Sequence, residues 1–130
     1  DIVKYLEQSS KIGRIYYPTD SGFLQKKITK KQMIDGCSII SFELKTLKEK
    51  EKKVTFSFLN KLKLTEISNN LGDSKTLITH PYTTTHHKLT SDEKISLRIT
   101  KNLVRLSVGL EDSTDIIEDI DNALKKAEKK

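Results

Sequence analysis

The sequence predicts an α+β domain: a small, mainly antiparallel sheet with helices packed on one side. Three observations carry this reading. Ile40, Phe42 and Leu44 alternate with Ser41 and Glu43, the period-2 pattern of a strand with one buried face. Leu103–Val108 reads as a second strong strand. Ile116, Ile120 and Leu124 stand four apart, forming the buried stripe of a helix. Helices and strands are mixed without regular βαβ alternation and without an internal repeat, which favours α+β over a doubly wound parallel sheet. The 130 residues amount to one domain with no interdomain linker.

The elements follow in order. Ile2, Val3, Tyr5 and Leu6 fall at helical spacing, so Asp1–Ser9 reads as a short helix. Ile12–Tyr17, punctuated by Gly13 and closed by Pro18, reads as a strand, and Thr19–Gly22 as a turn. Gln25–Met33 is a polar, Lys-rich surface segment with a helical turn. The strand over Cys37–Leu44 leads through a charged run into an amphipathic helix on Val54, Phe58 and Leu62, about three turns long. Leu64–Ser68 returns as a short strand and ends in the turn-rich corner Asn69-Asn70-Leu71-Gly72. Thr76–Thr79 is a strand. Thr90 and Glu93 have the spacing of a capping box that opens a helix reaching about Arg98. Asp112 and Asp115 open the last helix, and Lys125, Lys126 and Lys129 close it, as its macrodipole favours.

Composition limits what the chain does. No apolar run approaches the roughly 20 residues that span a bilayer, and no secretory signal opens the sequence. The single cysteine, Cys37, excludes an intramolecular disulfide framework and fits a reducing cytosol; at the start of a strand it reads as a small buried hydrophobe. The start at Asp1 in place of Met suggests a processed product or a fragment. The net charge is +6, yet 21 of the 24 cations are Lys and only Arg14, Arg98 and Arg105 are Arg. The Lys runs, Lys45–Lys53 and Lys125–Lys130, are interleaved with Glu. They read as solvated surface in preference to a nucleic-acid patch, where Arg is the usual reader.

Against that background Arg105 stands out. Val104, Leu106 and Val108 share one face of their strand; Leu103, Arg105 and Ser107 share the other. An Arg inside an apolar strand is costly unless an anion meets it, and its planar fork suits a carboxylate or phosphate. The partner is either an internal carboxylate, such as Glu43 or Glu66, or a ligand, and both stay open. His80, His86 and His87 cluster without zinc-motif spacing and read as loop histidines bonded to backbone or water, so no metal is assigned. No Gly-rich phosphate loop, nucleophile elbow or Ser-x-Thr-Lys segment occurs, and the chain does not assemble a catalytic constellation by itself.

The run from Ser68 through Gly72-Asp73, Leu77 and His80-Pro81 to Thr85-His86, with Leu103 to Asp112, resembles the C-terminal domain of the Cys/Met-metabolism family. The resemblance extends to Ile15-Tyr16-Tyr17-Pro18 and Ile39–Leu44, and so covers essentially the whole chain. These are fold-type I, pyridoxal-phosphate-dependent enzymes. The resemblance implies that residues 1–130 form the substrate-carboxylate-binding domain, with the cofactor lysine and the rest of the cofactor site on a larger preceding domain. It implies that Arg105 binds the substrate α-carboxylate, that Asn70 stands next to that carboxylate, and that Thr85 lines the pocket.

Within the family the wording is most similar to sulfhydrylases, which make homocysteine from O-succinyl- or O-acetylhomoserine and sulfide. Cystathionine γ-synthase or methionine γ-lyase chemistry is the alternative, and a stand-alone binding module the reading outside enzymes. The implied setting is cytoplasmic, with pyridoxal 5'-phosphate bound by the missing domain. The implied partners are that domain and further copies of the chain in a homotetramer, with no nucleic acid and no membrane. Two positions depart from the family wording. Asn102 stands where relatives carry Gly and tolerates a left-handed turn. Tyr82 replaces a small residue after His80-Pro81, and either reshapes the pocket edge or packs outward.

Overall fold

The computed structural model describes residues 1–19, 22 and 24–127. Parts of the Thr19–Gly22 turn and of the Lys125–Lys130 run therefore lie outside the described residues. The elements are α1 (Ile2–Gln8), β1 (Ile12–Tyr16), α2 (Lys26–Gln32), β2 (Ile39–Leu44), α3 (Glu51–Leu59), β3 (Glu66–Ile67), β4 (Leu77–Thr79), α4 (Ser91–Ser96), β5 (Leu103–Ser107) and α5 (Ser113–Ala127). The strands form one five-stranded sheet in the order β1-β2-β5-β4-β3. All pairs are antiparallel except β3 with β4. The α+β reading holds, and no helix of the described residues is long and apolar enough to cross a membrane.

Period-2 patterning becomes burial as expected. Ile40, Phe42 and Leu44 on β2, Val104 and Leu106 on β5 and Ile78 on β4 are buried in one cluster. Ile2 and Leu6 of α1, Phe58 and Leu59 of α3, and Ile116, Ile120, Ala123 and Leu124 of α5 join them there. Phe42 and Phe58 meet edge to face at 6.4 Å, a favoured aromatic geometry. Among the described residues α2 and α4 contribute nothing to this cluster. The capping box is present: Glu93 N–H donates to Thr90 Oγ1 at 3.3 Å, and Thr90 N–H donates to Glu93 Oε2 at 2.7 Å.

Three expectations need correction. The amphipathic helix closes at Leu59, leaving Leu62 to pack against the core from outside it. The strand expected over Leu64–Ser68 shrinks to two residues, because its first backbone donors go elsewhere. The N–H groups of Lys63, Leu64 and Thr65 all donate to the Asp119 carboxylate, at 2.8, 3.1 and 2.9 Å. Asp119 lies on the buried side of α5 beside Ile116 and Ile120 and is itself buried; consecutive N–H groups cradling an anion suit such a burial. Cys37, expected to be a buried hydrophobe, is exposed. The strand begins two residues later, and the Cys37 thiol donates to Ile39 O at 3.4 Å.

His80 ties the segment after β4 to the approach to β5. Its Nε2 meets the Lys101 carbonyl at 2.9 Å, and its Nδ1 meets Thr83 Oγ1 at 2.8 Å. A carbonyl accepts only, so Nε2 carries the proton and Nδ1 accepts from the Thr83 hydroxyl. Burial disfavours the charged ring and pushes its pKa below the ordinary 6.5, outweighing the Lys101 carbonyl; the nearby Lys52 charge acts in the same direction as burial.

Two outcomes are expected. Asp119→Ala should destabilise the protein by about 3 kcal/mol, since three backbone donors, that of buried Thr65 among them, lose a charged acceptor; urea unfolding measures this, and a loss under about 1 kcal/mol would mean water replaces the carboxylate. For His80, the unfolded chain binds a proton below pH 6.5 more readily than the folded protein does. Stability should therefore fall as pH drops below that value, and unfolding curves of His80→Gln should show a shallower decline over the same interval.

Candidate functional site

The face of the sheet opposite the helices is where Arg105 projects. Register sets its neighbours: Ser41 on β2 and Thr79 on β4 are its two cross-strand partners. This face is largely covered: Leu103 and Ser107 are buried as well, and Arg105 alone on β5 is half-buried. Part of the cover comes from loops. Gly72 N–H donates to Ser107 Oγ at 3.0 Å, which pins the Asn69–Gly72 corner onto β5. Gly72 adopts φ 70°, a backbone angle that glycine reaches at no steric cost.

Arg105 Nη2 donates to the carbonyl of Asn69 at 3.0 Å. That carbonyl belongs to the same peptide unit as the N–H of Asn70, so the guanidinium fixes the peptide carrying the second expected site residue. The Asn70 N–H donates to Ser68 Oγ at 3.3 Å. From Asn69 the network continues: the Thr79 hydroxyl donates to Asn69 Oδ1 at 2.7 Å and lies 2.9 Å from Thr84 Oγ1. Thr84 Oγ1 in turn donates to the His80 carbonyl at 2.8 Å. Thr85, the third expected residue, follows directly in the chain; it is exposed, and its hydroxyl meets His86 Nδ1 at 2.8 Å. Arg105, Asn70 and Thr85 thus border one hydrogen-bonded chain that runs from β5 through the 69–70 peptide and β4 to the loop behind His80-Pro81.

Neither internal carboxylate considered for Arg105 meets it. Glu66 pairs with Lys75. Glu43 accepts from the Tyr16 hydroxyl at 2.9 Å and from the Thr100 hydroxyl at 3.3 Å. Burial and the Glu43 carboxylate raise the Tyr16 pKa, while the positive charges of Arg14 and Arg98 pull it back. Among the described residues Arg105 has no carboxylate within ion-pair distance, and four of its five N–H donors remain for a ligand.

The histidines bond locally: His80 as above, His87 to the Thr84 carbonyl at 2.6 Å and His86 to Thr85. Tyr82 is half-buried, with the Lys94 ammonium 4.3 Å from its ring centre. Asn102 does not turn left-handed: it pairs with Leu44, its Nδ2 donating to Leu44 O at 2.8 Å. Among the described non-glycine residues the left-handed one is Arg98, with φ 56°. Sequence reasoning missed Asn69, Thr79 and Thr84, whose hydroxyl and amide contacts tie β4 to the loops on either side of it. The only available signal was the run of threonines around His80-Pro81.

The comparisons agree with this architecture. Residues 1–125 match the family model described as Cys/Met metabolism PLP-dependent enzyme. The chain is 45% identical over 125 residues to an L-methionine γ-lyase from Fusobacterium nucleatum subsp. polymorphum, which covers 96% of this chain and 31% of the relative. It is 38% identical over 123 residues to the O-succinylhomoserine sulfhydrylase of Mycobacterium tuberculosis, covering 95% of this chain and 30% of that protein. Its fold superposes on the crystal structure of cystathionine γ-lyase from Lactobacillus plantarum complexed with L-serine with a TM-score of 0.88 at 29% identity, over 97% of this chain and 32% of that one. The chain therefore spans just under a third of the length of these relatives. With the family model matched from residue 1 to residue 125, the chain belongs to the Cys/Met metabolism PLP-dependent enzyme family.

Proposed function

We propose that this chain is the substrate-carboxylate-binding domain of a pyridoxal-phosphate-dependent sulfhydrylase that replaces the acyl group of an O-acylhomoserine with sulfide. The observation that carries the reading is Arg105: a half-buried guanidinium, free of any internal carboxylate among the described residues, braced by the 69–70 peptide and left with a planar fork to offer. A bidentate grip on the substrate α-carboxylate fixes the rotation of the amino acid about Cα. The Asn70 peptide and Thr85 stand beside that grip as polar neighbours. The residues around Arg105 suit a carboxylate and form no cradle for the cofactor. Holding it falls to the remainder of the protein, where the cofactor supplies the electron sink for chemistry at Cα. This division implies a large partner domain and assembly with further copies in the cytoplasm. The sulfhydrylase relative and the sulfhydrylase-like wording around Asn69 and Asn70 support the choice within the family.

A second reading has its own observation. The L-methionine γ-lyases of Fusobacterium nucleatum are more similar in identity, at 45% and 44%, than the sulfhydrylase is, at 38%. Elimination from methionine would use the same clamp. Supplying the intact protein with O-succinylhomoserine plus sulfide, or with methionine alone, separates the two by product.

The clamp has a direct test. Arg105→Lys in the intact protein should lower kcat/KM about 100-fold, because an ammonium replaces the fork yet keeps the charge. Thermal unfolding should shift by no more than a few degrees, since the Asn69 carbonyl still finds a donor. Unchanged kinetics would remove Arg105 from substrate binding.

A further inference from the structure

Arg14 and Arg98 are the two arginines the carboxylate clamp does not use, and both sit where the backbone departs from regular geometry. β1 carries one extra residue against β2 between Ile12 and Ile15, a bulge that contains Gly13 and Arg14; bulges re-aim the side chains they carry. Arg98 occupies the left-handed position after α4, with Arg98 N–H donating to Ile95 O at 3.0 Å and Ile99 N–H to Lys94 O at 2.8 Å. This closing motif ordinarily takes Gly, and an L side chain there is strained. Arg14 lies 5.0 Å from the Tyr16 ring centre, and Arg14, Tyr16 and Arg98 share one cavity wall.

They line a cavity of about 650 Å³ between α4 and the β1–β2 edge of the sheet. Its described lining holds five cations, Arg14, Lys48, Lys94, Arg98 and Lys101, against the acids Glu43 and Glu51. Glu43 already accepts from Tyr16 and Thr100. Lys94 is the telling member: it is 8% exposed, its ammonium rests over Tyr82 and 3.5 Å from the His87 carbonyl, and no carboxylate of the described residues pairs with it. A buried cation without an anion is unfavourable, and four more cations around it add repulsion. The neighbouring cavity of about 610 Å³ also touches Arg14 and Arg98 but contains no lysine and includes Glu7, so the positive charge concentrates on the α4 side.

We propose that the cavity between α4 and the β1–β2 edge is a binding site for a small molecule carrying two or more phosphate charges. Arg14 and Arg98 supply planar forks, Lys48, Lys94 and Lys101 supply point charges, and Ile95 and Ile99 supply an apolar wall for an organic portion. The volume lies within the range of small-molecule pockets. The site is separate from the clamp at Arg105, which does not line it.

The test is calorimetric titration of the intact protein, saturated beforehand with pyridoxal phosphate so that the cofactor's own phosphate position is filled. Pyrophosphate should bind with a micromolar Kd and adenosine should not bind. ADP tighter than pyrophosphate would identify an organic polyphosphate, and equal affinity the phosphates alone. Arg98→Gly relieves the left-handed strain, so its Tm should hold or rise while Kd for pyrophosphate weakens at least tenfold. Arg14→Gln, at an exposed position, should weaken binding similarly, whereas Lys30→Gln on α2 and Arg105→Lys should leave Kd unchanged. Absence of pyrophosphate binding, or equal affinity in Arg98→Gly and Arg14→Gln, would overturn the proposal.

Discussion

The pairing of β5 between β2 and β4 is the constraint on which the rest depends. Antiparallel register on both sides places Ser41, Arg105 and Thr79 in one row across the sheet. The same register puts Val104 and Leu106 into the helical core below. A slip of one residue on either side would bury the guanidinium among Phe42, Phe58 and Ile120 and expose the valine, at a cost of several kcal/mol. The apolar face therefore does two jobs, holding the domain together and fixing which way the Arg105 fork points.

Loops then finish what the strands begin. The Asn69–Gly72 corner is held to β5 by Ser107 and by Arg105 itself, and Thr79 connects it to the loop behind His80-Pro81. At the other end of that corner, the Glu111 carboxylate accepts from both the N–H and the hydroxyl of Thr76, at 2.8 and 2.7 Å, and Gly109 N–H donates to the same hydroxyl. The bonds of Ser107, Arg105, Glu111 and Gly109 join residues more than 30 positions apart, and those of Thr79 tie β4 to the loops before and after it. Thr76, Thr79 and Ser107 are buried, where a polar group without a partner is costly. A network assembled this way holds its donors in place through the fold itself.

Charge is distributed unevenly over the same fold. The Arg105 side offers one fork in a polar surround, whereas the α4 side gathers Lys and Arg beyond what its carboxylates balance. Individual lysines end up in different settings: Lys75 pairs with Glu66 and Lys125 with Asp121, while Lys94 is folded inward over Tyr82.

The sequence by itself determined the α+β class, the two main strands (expected over Cys37–Leu44 and Leu103–Val108, formed over Ile39–Leu44 and Leu103–Ser107), the stripe of α5 and the capping box at Thr90. Each is a local signal, a period of two or 3.6 residues or a bond spanning three, and needs no distant partner to be read. The motif series carrying Arg105, Asn70 and Thr85 was equally legible, though as a resemblance and not as a derivation. Only the tertiary structure decided the rest. Asp119 looks like a solvent-facing acid until three N–H groups from residues 63–65 close on it, which is also why the strand expected there shortens. Cys37 reads as buried because it begins the expected strand, but pairing starts at Ile39, after it, and Cys37 is exposed. That neither Glu43 nor Glu66 meets Arg105 turned on where Tyr16, Thr100 and Lys75 came to lie. Partners brought together by sheet register and loop closure leave no periodic mark in a chain, so composition and spacing could not reveal them.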